Sequence, residues 1–499
     1  MKDVERLGID APGADELVVV PWPLLFRRRV TARVEQSPRY RWWVLSVALL
    51  GVLSVSFTIT ILSVSLPRIA RDLHTDVPTI TWVITGPMLA YGVVGPLLGK
   101  AGDLWGYRRL FVLGLCGSIV FAALSALAWD ATSLIVFRVL GVAEGAATGP
   151  ASMALIMRAF PDEDRVKAMG WWSLVGAGGP VIGVVAGGPI VEHFGWRPIF
   201  VAQVPFTLIA LALALLVLPE TERRTGDRLD WAGVATLAVA MTTLLFAVNR
   251  GPSWGWSHPV VVGGLVLSPM ALAAFVAVER GASSPLVPLD WLRRRNFSFP
   301  IAVQFFTNFA YMGSFFLTPL FLVQAFHYGE TRAGLLTIGR PAAFAITAPL
   351  AGYLAVRIGE RTAALAGSAF VIASMLVWTR VSPGASNTHV LAALALAGVG
   401  LGVSSPSLAA SIANAVEDAS LGIAGAAQQL IAQVGQVIGI QLAETVQASR
   451  AHAGLTHSFQ QAYLMLGLVA ALGLVCAGFV RSTPRASRAR EPVLHLEVA

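Results

Sequence analysis

Charge, cysteine and lysine are all scarce in this chain. Asp, Glu, Lys and Arg make up 13% of its 499 residues, hydrophobic types reach 56%, and the mean hydropathy is +0.69. Too little polar surface is left for a soluble multidomain protein or for an appended enzyme domain, so the expected class is an all-α polytopic membrane protein that is not an enzyme. Only Cys116 and Cys476 occur, both inside apolar runs, which excludes a disulfide framework and a thiolate metal site; neither metal nor cofactor is expected. Lysine appears three times, and arginine supplies 33 of the 36 basic residues. The net charge of +8 fits loop topology better than a nucleic-acid surface, so nucleic acid is not an expected partner. Leu17 to Phe26 is short, broken by Pro21 and Pro23 and followed by Arg27, Arg28 and Arg29. That is neither a spanning helix nor a signal peptide, and residues 1–41 are expected to form an interfacial or disordered cytoplasmic arm.

Long apolar runs are what the chain has in plenty. Crossing a bilayer takes about 20 apolar residues with every backbone group satisfied inside the segment, so such runs become helices. Fourteen are expected, over 42–66, 79–98, 110–129, 133–157, 168–190, 199–218, 231–249, 259–278, 298–325, 333–355, 362–380, 389–412, 423–446 and 460–480. Basic residues before the first span, in 99–109, in 158–167, in 223–228, in 280–295, in 357–361 and from Arg481 all fall on one side, which places that side and both termini in the cytoplasm. After span 2 the chain reads Gly99 to Arg109, and after span 10 it reads Gly352 to Arg361, with glycines and arginines at similar offsets. This echo predicts two six-helix repeats, 42–218 and 298–480, an inserted helix pair with its linkers over 219–297, and a cytoplasmic tail over 481–499.

The turn expected at 99–109 holds a cluster of charge between two apolar spans. Gly99, Gly102 and Gly106 let two helices approach closely, Asp103 can sit at a helix end, and Arg108 and Arg109 hold the loop on the cytoplasmic side as a gate. Span 5 places Gly176, Gly179, Gly183 and Gly187 nearly on one face, followed by Gly188, while Pro180 removes a backbone donor. Such a face serves either ordinary tight packing or the interface between moving halves. The 99–109 run resembles the signature loop of the major facilitator superfamily, with Leu104 and Tyr107 where that pattern has basic residues. The span 5 run, with Gly195-Trp196-Arg197 after it and Leu229-Asp230-Trp231 before span 7, resembles the antiporter signature of the fourteen-span drug:proton antiporters in that superfamily. The resemblance covers about residues 40–480. It implies a major facilitator fold of two six-helix bundles plus two inserted helices, and efflux driven by proton motive force. The family's first-span aspartate position holds Thr58, and its span 4 pattern keeps Arg138 but has Gly141 and Val142 before Glu144.

Ionisable residues inside spans cost enough to point at a cavity or a partner, and four stand out. Glu144 lies about 16 Å into span 4, near the bilayer middle, where burial would lift its pKa toward a proton carrier's range; the alternative is a fixed ion pair with Arg138 or Arg340. Arg340, before Pro341, either bonds carbonyls freed at the proline or serves as counterion or anionic-substrate contact. Glu444 continues a stripe of Gln429, Gln433, Gln436 and Ile440 that lines a wet cavity or makes interhelical hydrogen bonds. Span 9 carries Gln304, Asn308, Tyr311 and Phe315 on one side, a face suited to amphipathic ligands or to lipid packing.

The expected function is substrate:proton antiport by alternating access, a monomer in the plasma membrane of a bacterium exporting small hydrophobic or amphipathic molecules. Its partners are then substrate, protons and the lipid bilayer. Two alternatives stay open: an exporter of lipid or a specialised metabolite without proton coupling, since Thr58 replaces the first-span acid, and a non-transporting membrane interaction protein or sensor.

Overall fold

The computed structural model describes residues 37, 39–75, 77–80, 82–221, 230–282 and 285–482. The expected arm (1–41) and tail (481–499) lie almost wholly outside the described residues, as does the basic run 223–228. The side chains of Thr58, Glu144, Pro180, Gly183, Gly187 and Gly188 also lie outside them.

Fourteen helices of 19 residues or more follow one another among the described residues, with no strand. They are α1 Tyr40–Asp72, α2 Trp82–Trp105, α3 Tyr107–Ala126, α4 Ala131–Ala159, α5 Asp162–Phe194, α6 Arg197–Val217 and α7 Trp231–Trp254. Then come α8 Pro259–Gly281, α9 Arg295–Gln324, α10 Gly339–Ile358, α11 Glu360–Trp378, α12 Asn387–Asn414, α13 Leu421–Ser449 and α14 Leu455–Gly478. Eleven, with α10 taken from Arg332, are long and apolar enough to cross a membrane.

Helix ends follow local chemistry. At the start of α4, Asp130 accepts from the Ser133 backbone N–H at 2.7 Å while its own N–H donates to Ser133 Oγ at 3.1 Å, a capping box. The Ser133 backbone N–H first, and the Ser133 hydroxyl second, hold the Asp130 carboxyl below its usual pKa by hydrogen bonding to its charged form. The expected loop at 99–109 is corrected: α2 runs on to Trp105 and α3 begins at Tyr107, so Gly106 alone lies between them. Gly106 can do this because its φ is +95°, and Gly359 makes the same single-residue turn between α10 and α11 at φ +84°. The echo between the halves is real at this level. It keeps the register of the sequence, because Gly352 sits inside α10 as Gly99 sits inside α2, and Gly359 occupies the place of Gly106.

In the first half α1 packs on α5, α6 and α4, α2 on α4, and α3 on α4 and α6; in the second, α9 packs on α13 and α14, α11 on α12 and α14, and α10 on α12. The halves meet along α2 with α13 and along α5 with α10. Close backbone approach makes both seams: a Cβ on Gly99 would stand 2.4 Å from Ala426 Cβ, and one on Gly170 would stand 2.7 Å from the Ala348 carbonyl oxygen. The α7–α8 hairpin lies outside, against α2 and α13. One apolar cluster, with Phe111, Leu155 and Met157 on one side and Ile412, Leu421 and Ile423 on the other, runs through both halves at the end that carries Arg108, Arg158 and Arg165, called here the basic end.

Candidate functional site

A cavity of about 390 Å³ lies between the helices, lined by α1, α2, α4, α5 and α13. Ser56, Tyr91, Arg138, Thr148, Trp172, Gly176 and the amides of Gln429, Gln433 and Gln436 face it. The three glutamines share one face of α13 because they recur at helical spacing. Arg138, Gly176 and those glutamines are thus brought together from three helices. The Arg138 guanidinium also lies 5.8 Å from the centroid of Phe200. Gly141 and Gly145, which flank Glu144 in α4, line the cavity as well.

Tyr91 and Trp172 were not singled out by sequence, since a lone tyrosine or tryptophan in an apolar span reads as packing. Here the Tyr91 hydroxyl donates to Gln429 Oε1, a bond between the two halves. Gly149 leaves room for it: a Cβ there would stand 2.9 Å from Gln429 Oε1 and 3.3 Å from the Tyr91 hydroxyl. Nearby, Trp172 Nε1 donates to Ser152 Oγ at 3.1 Å. Tyr91→Phe should remove the link at a net cost of about 0.5–1.5 kcal/mol, so a cysteine at Thr148 should react with a maleimide from the basic side roughly 2- to 10-fold faster. An unchanged labelling rate would mean the bond does not hold the halves together.

The polar side of α9 is placed elsewhere. Gln428 Nε2 donates to Gln304 Oε1 and Gln436 Nε2 to Asn308 Oδ1, both at 3.1 Å, and Asn308 Nδ2 donates to the Gln304 carbonyl at 2.9 Å. Gln304 and Asn308 are therefore partners of α13 rather than lining of the cavity, because a buried amide finds a second amide the cheapest way to stay satisfied. Tyr311 and Phe315 stand beside Arg340, with ring centroids 5.4 and 5.9 Å from its guanidinium carbon. Arg340 is completely buried in the second half, and its Nη1 donates to the Tyr311 carbonyl of α9 at 2.9 Å. Its carbonyl partner belongs to a neighbouring helix, not to the turn before Pro341. Glu444 is exposed on α13 outside the cavity, so the stripe ends at Gln436 as far as this cavity is concerned.

At the basic end, the 99–109 segment joins the halves. Asp103 Oδ1 accepts from the Gly422 N–H of α13 at 3.2 Å and from the Tyr107 hydroxyl, and that hydroxyl also accepts from Gly422 N–H at 3.1 Å. A carboxylate is thereby set at the positive N-terminal end of α13. Gly102 is tight against Tyr107, with a Cβ there 3.0 Å from Tyr107 Cδ1. Arg108 is buried, pairs with Glu220 and donates to the Leu215 carbonyl at 2.6 Å, whereas Arg109 is exposed. Arg165 adds a second tie, donating to Asn414 Oδ1 at 3.1 Å and Asp418 Oδ1 at 2.8 Å before α13. Arg158 donates to the Asp418 carbonyl at 3.0 Å and lies 4.9 Å from the Tyr107 ring centroid.

Two helical halves meeting at glycine seams, with a charged turn latching one end beneath an internal cavity, set the terms for comparison with known proteins. A family model described as the Major Facilitator Superfamily matches residues 48–439, and again 300–495. The chain belongs to this superfamily. Among curated relatives, it is 32% identical to a puromycin resistance protein of Streptomyces alboniger over 82% of each chain. It is 28% identical to a tetracenomycin C resistance and export protein of Streptomyces glaucescens, over 82% of this chain and 76% of the relative. It is 29% identical to the multidrug resistance protein Stp of Mycobacterium tuberculosis, over 83% of this chain and 77% of the relative. Among solved structures, a human organic anion transporter matches with a TM-score of 0.65 at 18% identity, covering 89% of this chain and all of that one. A proton:xylose symporter of the superfamily matches at 0.62 and 16% identity, covering 89% and 96%.

The chain is thus a multi-pass major facilitator transporter with bacterial relatives named for drug resistance and export. Its departure from the superfamily's loop pattern at Tyr107 has a visible consequence, because that hydroxyl bonds both Asp103 and Gly422 in the latch.

Proposed function

We propose that this protein is a proton-coupled exporter of amphipathic small molecules, a fourteen-span member of the drug:proton antiporter branch with both termini in the cytoplasm of a bacterium. The observation that supports it best is the cavity itself. At about 390 Å³ it lies in the range of small-molecule sites, and it offers amide and hydroxyl groups and an arginine beside Trp172 and a mainly aliphatic wall, so one ligand pose is not imposed. The relatives' names point the same way. In this reading the halves rock about the cavity, the Asp103 latch closes the cytoplasmic side, and Glu144 carries the proton near Arg138. One proton moved across the membrane supplies about 2.3 kcal/mol per 100 mV, enough for useful accumulation.

The test is dye and antibiotic flux in inverted vesicles under an imposed pH gradient, native chain against Glu144→Gln. Gradient-driven flux is expected in the first and a loss of at least about 100-fold in the second, at equal insertion, since a missing proton site removes the coupled cycle. Gradient-driven flux that persists in the variant takes Glu144 out of the mechanism. A second reading is favoured by Thr58 in place of the family's first-span acid and by relatives named for single antibiotics. It is an exporter of one metabolite class without proton coupling, and flux that ignores the pH gradient would select it.

A further inference from the structure

The α7–α8 hairpin touches both halves along its length and at its far end, and α2 again at the basic end. Along its length Leu237, Met241, Leu245 and Val248 of α7 form one buried cluster with Leu430, Val434 and Val437 of α13, while α7 also packs on α2. At the end opposite the basic one, the Arg250 guanidinium lies 4.8 Å from the ring centroid of Trp82 on α2, and Trp256 Nε1 donates to Thr445 Oγ1 on α13 at 3.3 Å. At the basic end Lys100 Nζ of α2 donates to the Pro285 carbonyl at 3.1 Å, in the chain leaving α8. The buried Glu279 carboxylate fixes that chain by accepting from the Leu286 and Val287 N–H groups at 3.1 and 3.3 Å. The α2/α13 seam is therefore covered from end to end.

Among the described residues, the α5/α10 seam has no such cover. Neither α7 nor α8 packs against α5 or α10, and these two helices meet through Gly170 against Ala348 and Gly352 against Val166. Farther from the basic end, Gly176 and Gly178 of α5 have open space where a Cβ would stand, and Gly176 lines the cavity. The two sides of the molecule are thus unlike each other, although the halves are internally related.

We propose that the hairpin is a lateral seal, so that amphipathic substrate exchanges between cavity and bilayer only on the α5/α10 side. This rests on the cavity being the transport site. An apolar molecule dissolved in lipid gains nothing by crossing water first, so a side opening between helices is its shortest path. Closing one of the two symmetry-related openings leaves a single route, whose width then limits which substrates pass. Arg250 and Trp256 become specificity-determining residues although neither faces the cavity.

The experiment places a photoreactive benzoylphenylalanine at one of three sites in the full chain in lipid nanodiscs, with rhodamine 6G as probe. Leu174 and Ala345 continue the facing sides of α5 and α10 by helical spacing, and Leu244 packs at the edge of the α7–α13 cluster. Dye binding is measured separately by fluorescence anisotropy. Covalent dye adducts are expected at Leu174 or Ala345 at about tenfold or more over Leu244, the ratio given by ~1.4 kcal/mol of local exclusion. In the pair Arg250→Ala with Trp256→Ala, the Leu244 adduct should rise toward the others while dye affinity stays unchanged. Equal adducts at Leu244 and at the seam with the hairpin intact would overturn the seal. Dye bound with no adduct at Leu174 or Ala345 would overturn the lateral route while leaving the cavity reading in place. Absence of dye binding would overturn both.

Discussion

Replacing Gly99 by leucine is expected to leave the protein inserted and folded but nearly without transport. A Cβ at Gly99 would stand 2.4 Å from Ala426 Cβ and 3.0 Å from the Gly422 carbonyl oxygen. The two helices concerned belong to different halves, so the clash exists only while the basic end is closed. Overpacking of this kind costs about 1–3 kcal/mol, and at the upper end the closed population falls roughly 100-fold, since every 1.4 kcal/mol is a factor of ten. The readout is maleimide labelling, from the basic side, of a cysteine placed at Gln433, with Cys116 and Cys476 changed to serine. Labelling should rise as flux falls. Wild-type flux together with wild-type labelling would show that α2 and α13 never need to approach this closely.

Gly439→Val should act differently. A Cβ at Gly439 would stand 2.1 Å from the Phe309 carbonyl oxygen, and one at Gly313, on the other side of the same crossing, 2.7 Å from the Gly439 carbonyl oxygen. Here α9 and α13 lie in one half and stay in contact throughout any rocking motion. The substitution penalises every conformation alike and cannot be relieved by opening. A loss of about 3 kcal/mol or more is expected, seen as lower insertion yield and a melting temperature in detergent well below native. Labelling at Gln433 should not shift in favour of either open state. A native-like melting temperature would mean the crossing relaxes more than its backbone contacts allow.

These two glycines show how much the sequence disclosed. Apolar runs located the helices because a bilayer leaves the backbone no alternative. The spacing of glycine and arginine exposed the repeat. Partners stayed hidden, for a physical reason: lipid is as apolar as a helix interface, so the side of a span facing protein carries no hydrophobic signature of its own. Gln304 and Asn308 therefore read as cavity lining, when their amides are bonded to Gln428 and Gln436 of α13. Tyr91 gave no signal at all, because its meaning depends on Gln429, 338 positions later. Span ends were missed where glycine permits a one-residue turn, as at Gly106, since hydropathy falls before the helix does.

The apolar cluster that runs through both halves at the basic end ties the working cycle to temperature. Parting the halves there wets Ile412, Leu421 and Ile423 together with the side chains facing them, and wetting apolar surface carries a positive heat capacity. The force that keeps this end shut is consequently entropic near ambient temperature and grows on warming. Cooling favours the state open at the basic end and warming the state shown here, so the resting conformation of this transporter depends on the thermometer as well as on its ligands.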